Sequence, residues 1–176
     1  MMYVGWCQLH GVDTDQDILA GIKWYITAAG SGNTEAMVRL AEMYEVGKFV
    51  ETSCLDAEKW YQAAIKDMNS FMGHYARALS YDFGSRCVQR DLAKALYHYK
   101  QASGLGHIVS KLQVARILRT GKFGKIKAIN GWLVAFTAFC EMVWIIIKRK
   151  DSPRLWDSQR WIPDNLHRLR SGTRFE

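Results

Sequence analysis

The apolar positions of this chain fall on a helical spacing, and the spacing recurs. Ala36, Leu40, Ala41 and Tyr44 lie at i, i+4, i+5 and i+8, which is one face of a helix. Gly47 follows, where a left-handed residue can close the helix C-terminus. Asp56 then stands where a side chain can accept a hydrogen bond from the first turn of a second helix. Trp60, Tyr61 and Ala64 supply that helix with a buried stripe. The pattern predicts a pair of helices joined by a short loop. One such pair cannot bury its apolar face alone, but a stack of them shares a continuous core.

The same blocks appear again along the chain. Gly21-Ile22-Lys23-Trp24-Tyr25 followed by Ala28-Ala29, then Lys59-Trp60-Tyr61 with Ala63-Ala64, then Lys94-Ala95-Leu96-Tyr97-His98-Tyr99 with Ala102, align as second helices. Trp24 to Trp60 is 36 positions, and Trp60 to His98 is 38. Gly47, Gly84 and Gly121 are spaced by 37 positions each, a period expected of a helical-repeat array.

These blocks resemble the Sel-one-like repeat (SLR) family, relatives of the tetratricopeptide repeats. Its pattern runs A-x-x-x-L-G-x-x-Y-x-x-G, a short loop ending in Asp, then K-A-x-x-W-Y-x-x-A-A-x-x-G. The resemblance covers roughly residues 3–135. It implies an all-α, right-handed α/α solenoid of about four helix hairpins, with units near 1–33, 34–69, 70–107 and 108–135. Residues 136–176 would then form an apolar C-terminal helix and a basic, Arg/Trp-rich capping tail. The resemblance also implies a non-catalytic protein-binding module. Many bacterial members bind partner proteins, some of them as adaptors or as immunity-type proteins that neutralise a toxin or effector.

The sequence departs from the pattern in three places. Met1 to Leu9 is only a stub of a first helix, so either the chain is truncated or that end packs on something else. Arg77 stands where Leu40 and Val114 predict an apolar residue. Either it snorkels to the surface or it makes a polar contact on a binding face. In the fourth unit Gly131-Trp132 replaces Trp-Tyr. The run 132–147 that follows is the most apolar in the chain, and Lys148-Arg149-Lys150 ends it. With Glu141 inside it and 16 residues in all, a free-standing membrane span is disfavoured. Burial under the tail, a shallow membrane anchor through residues 132–150 and a face kept for a partner all remain open.

Charge and candidate chemistry change this picture little. Residues 1–110 hold 10 Lys/Arg and 12 Asp/Glu, a net of −2, whereas residues 111–176 hold 14 and 5, a net of +9. The basic third suits an acidic protein, anionic lipid or nucleic acid, but no nucleic-acid recognition motif accompanies Lys122, Lys125 and Lys127. Met1 to Ala20 carries no Lys or Arg and no secretory pattern, so the chain as given reads as cytoplasmic, with peripheral contact at the inner membrane open. Cys7, Cys54, Cys87 and Cys140 form no CxxC pair, so reduced, mostly buried thiols are expected.

No enzyme and no cofactor is expected, because no residue set supplies one. Cys7 and His10 lack a second ligand pair for a metal. Asp13, Asp15 and Asp17 lack the glycine and terminal Glu of a calcium loop, and Asp15 fits a helix cap better. Gly30-Ser31-Gly32 and Gly104-Leu105-Gly106 follow Ala-rich helices and read as turns rather than phosphate loops. His98 takes the place of a repeat Trp and reads as packing. The expected partner surface is a concave face lined by the first helices, with Arg39, Met43, His74, Tyr75, Arg77, Arg116 and Arg119 as candidates. Trp156, Arg160 and Trp161 in the tail form a second candidate patch, since Arg and Trp anchor interfaces.

Overall fold

A computed structural model of the chain describes residues 2–120 and 125–148. These residues hold eight α-helices and no strand. Four helices come first in their pairs: α1 (Met2–His10), α3 (Thr34–Val46), α5 (Met72–Phe83) and α7 (Ile108–Arg119). Each packs on the helix that follows it: α2 (Ile18–Gly30), α4 (Cys54–Ile65), α6 (Leu92–Gly104) and α8 (Lys125–Lys148). The chain divides into a first unit, residues 1–106, and a second unit, residues 107–176. In the first unit α2 packs on α3, and α4 and α3 pack on α5, so three hairpins share one interior. The second unit is built on the α7–α8 pair.

Local chemistry starts and stops these helices. Asp17 Oδ1 accepts from Ala20 N at 2.9 Å to begin α2. Asn33 Oδ1 accepts from Ala36 N at 2.9 Å to begin α3. Asp91 Oδ1 accepts from Ala93 N and Lys94 N at 2.9 and 3.1 Å to begin α6. Two caps differ from the sequence expectation. Asp17, not Asp15, caps α2. Ser53, not Asp56, caps α4: its Oγ accepts from Asp56 N at 3.3 Å and donates to the Asp56 carboxylate at 2.6 Å. Gly47 closes α3 in the left-handed region, φ 76°, as its position predicts. The two Gly-x-Gly segments form the turns that follow α2 and α6.

The interior is made of small and aromatic side chains. Ala28, Ala36, Ala41, Ala57, Ala64, Ala76, Ala78, Ala95 and Ala102 are all buried. They let neighbouring helices approach closely, and Gly73 extends this to contact. A Cβ there would lie 2.5 Å from the Ala64 carbonyl carbon on α4. In each Trp-Tyr block the second residue is the core residue: Tyr25, Tyr61 and Tyr99 are all buried. The residue before it is not. Trp60 is half-buried against the core, and Trp24 is 37% exposed.

The cysteines depart from expectation. Cys54, at the start of α4, is bonded to Cys87, in the loop between α5 and α6, with Cα atoms 5.1 Å apart. Cys7 is free and buried, and Cys140 is free and exposed. The bond therefore ties the second hairpin to the third.

Two substitutions test this packing. Gly73→Ala should lower unfolding free energy by about 1–3 kcal/mol in urea denaturation, because the blocking atoms are backbone. Cys87→Ser should lower it by about 3 kcal/mol if the bond acts on the unfolded chain. The wild-type chain should gain two alkylated thiols by mass spectrometry only after reduction.

Candidate functional site

Arg77 organises the surface that the first helices of the second and third hairpins present. It sits on α5 and is only 6% exposed, so it neither snorkels outward nor meets a partner directly. Its guanidinium pairs with Glu58 on α4, lies 4.0 Å from Glu45 on α3, and donates to Tyr81 Oη at 3.1 Å. The same group stacks over the Tyr61 ring at 5.2 Å and the Tyr81 ring at 4.6 Å. Burying a cation is costly unless such partners offset its loss of water.

Glu45 is buried beside it and fully engaged. Its carboxylate accepts from Tyr61 Oη at 2.7 Å, Ser80 Oγ at 2.8 Å and Ser85 Oγ at 2.7 Å. Burial, with the Glu45 charge beside it, raises the Tyr61 phenol well above its ordinary range. The third hairpin repeats the motif, since Tyr99 Oη donates to buried Asp82 at 3.2 Å. In the first hairpin buried Leu9 stands 36 positions before Glu45, and the network is absent at that place.

Above this layer lies a half-exposed aromatic cluster. His98 on α6 stacks on Tyr81 on α5, with centroids 5.8 Å apart and planes 13° apart. Tyr97, 57% exposed, meets His98 edge-on at 5.2 Å. His74 Nδ1 and His98 Nδ1 are 3.1 Å apart, and their ring centroids are 5.4 Å apart. The two nitrogens thus face each other along the line between the rings. That geometry shares one N–H and does not converge two lone pairs on a metal. Among the described residues no group of three or more His, Cys, Asp or Glu is arranged to hold a metal ion. Burial, with His74 and Arg77 nearby, pushes the His98 imidazole down to about 4, and burial lowers His74 as well. Lys94, over the Tyr81 ring at 5.3 Å, and Glu58 edge the cluster.

The sequence candidates fall into four groups. His74 belongs to this cluster, and Arg39 lies on α3, paired with Glu42 at 3.2 Å and partly exposed. Met43, Tyr75 and Arg77 are buried, which corrects their assignment to a contact surface. Their helix positions point inward, because α3 and α5 are covered by neighbours on more than one side. Arg116 and Arg119 lie on α7 in the second unit, where Arg116 meets Gln113 at 2.6 Å and Arg119 stacks over Trp132 at 4.8 Å. Trp156, Arg160 and Trp161 lie outside the described residues. Sequence reasoning missed Tyr81, Tyr97 and His98 as surface groups. The available signal was His98 itself, a polar ring substituted into a repeat Trp position.

The Sel1 repeat family matches residues 1–33, 34–67 and 72–107, more than half of the chain. The chain therefore belongs to the Sel1 repeat family, whose repeats generally mediate protein–protein interaction and are typically non-catalytic. Two solved structures share its fold, an α/α solenoid. One is a protective antigen of uropathogenic Escherichia coli strains that displays an SLR fold, with TM-score 0.60 and 24% identity over 78% of this chain. The other is a Sel1 repeat protein from Oxalobacter formigenes, with TM-score 0.59 and 20% identity over 76% of this chain. The chain spans 30% and 56% of those two chains, respectively. No curated protein gives a match.

The histidines give the fold an acid-sensitive component. His98 and His107 titrate near 4 when folded against an ordinary 6.5, so folding disfavours their protonation. Their stabilising effect is complete above about 6.5 and is lost as pH falls toward 4. Urea midpoints should fall across that window. His98→Trp, which restores the residue of the other repeats, should flatten part of the slope.

Proposed function

We propose that this chain is a non-catalytic protein-binding module whose partner docks on the His74–Tyr81–Tyr97–His98 cluster. One observation carries the reading. A mixed aromatic and polar patch stands half-exposed on α5 and α6, and Arg77, bonded to the Tyr81 hydroxyl, holds its Tyr81 from beneath. Aromatic anchors on a rigid support, with charges at the rim, are what a protein interface uses. Lys94 and Glu58 supply those rim charges, so salt should slow association more than it weakens the final complex.

Within that class the role is that of a bacterial adaptor or an immunity-type, effector-neutralising protein. This finer reading rests on analogy with the family and on the bacterial origin of the two similar structures. The Cys54–Cys87 bond favours a disulfide-permissive compartment over the reducing cytoplasm. Among the described residues no helix is long and apolar enough to cross a membrane.

Affinity capture with the tagged full-length chain from its native cells, followed by mass spectrometry, tests the proposal. Tyr97→Ala, at an exposed ring, should reduce the captured partner by about tenfold, the effect of losing an interface anchor. The melting temperature should stay within the wild-type range. Capture that is unchanged, or lost only together with folding, would assign the binding to another surface.

A further inference from the structure

The outward face of α8 carries an apolar stripe with a defined back. Gly131 and Ala138 are buried on the side that packs against α7. At 100° per residue, Leu133, Phe136, Cys140 and Trp144 project to the opposite side, with Trp132 and Phe139 along its edge. They stand exposed: Trp132 65%, Leu133 61%, Phe136 67%, Phe139 56% and Trp144 60%. From Trp132 to Trp144 the stripe is about 18 Å long. It holds no charged side chain.

The one carboxylate in the run does not interrupt it. Glu141 lies about 140° round the helix from Phe136, and its side chain pairs with Lys111 of α7. The Thr137 hydroxyl is bonded to the Val134 carbonyl at 2.9 Å. Polar groups beside the stripe are therefore satisfied within the unit. Its ends are basic. Arg119 stacks on Trp132 at one end, where Lys125 and Lys127 open α8, and Lys148-Arg149-Lys150 closes the other end in the sequence.

We infer that this stripe seats the second unit on an anionic phospholipid surface, with α8 lying in the interfacial plane. An apolar face bearing Trp at both ends and flanked by Lys and Arg is the arrangement of an interfacial helix. Charge decides between this occupant and a second copy of the chain. Two stripes paired in either direction bring basic ends together, whereas anionic headgroups neutralise them. The Glu141 objection to a membrane role applies to a spanning helix, not to one lying flat with Glu141 to the side. The inference concerns a different surface from the protein-binding cluster of the first unit and stands or falls separately.

Flotation of the full-length chain with vesicles tests it. The chain should float with vesicles containing phosphatidylglycerol and stay below those of phosphatidylcholine alone, with less binding at high salt. Trp132→Glu combined with Phe136→Glu should reduce the floated fraction about tenfold or more, since binding follows buried apolar area. The exposed Lys100→Glu in the first unit should not. Cys140 is the one free exposed cysteine, so a polarity-sensitive dye there should brighten only with the anionic vesicles. Three results would overturn the proposal. One is a wild-type chain that never floats. Another is flotation that the double substitution leaves unchanged. The third is a dimer, by light scattering, that the same double substitution dissolves while vesicles remain unbound.

Discussion

The first unit is organised around a buried carboxylate on α3. Glu45 accepts hydrogen bonds from α4, from α5 and from the loop that follows α5, and the Arg77 guanidinium stands beside it. Desolvating a charge in an alanine-rich interior is costly unless each lone pair is engaged. Here three hydroxyls and a cation do so. Because each donor comes from a different place in the chain, the network fixes how two hairpins register on one another. Alanine contacts supply closeness but little specificity, since one alanine face resembles another. The polar network supplies what they lack.

The surface cluster inherits its shape from that layer. Tyr81 is held between Arg77 below and His98 beside it, so a residue at the surface is placed by residues that never reach solvent. This separates the two meanings of a polar residue on a first helix. Arg39 and His74 are partly exposed, whereas Arg77, on the same helix as His74 and three residues on, is buried.

The sequence made the architecture legible because its signals are local and periodic. The glycine period, the alanine faces and the Tyr-Ala blocks each sit within one hairpin, and the helices lie where these placed them. What escaped depends on contacts between distant residues. Arg77 finds Glu45 and Glu58, 32 and 19 positions away, and no pattern on α5 reveals either. Cys54 and Cys87 stand 33 positions apart without a motif, and only stacking brings them together. Cap positions slipped by two or three residues because Asp, Ser and Asn all serve, and several occur in each loop. The outward apolar face of α8 was legible as hydrophobicity but not as orientation, which Gly131 and Ala138 decide by seating against α7.

The cross-link between the second and third hairpins has a further consequence for how the array comes apart. In a linear stack each layer touches only its neighbours, so strands of repeats unzip from an end one unit at a time. A covalent tie between two adjacent layers removes one of those steps and makes the pair open together or not at all. Transient opening in the first unit is then concentrated in α1 and α2, and a protease probing the native chain would nick the Gly30–Gly32 turn well before it reached the segments joined by sulfur.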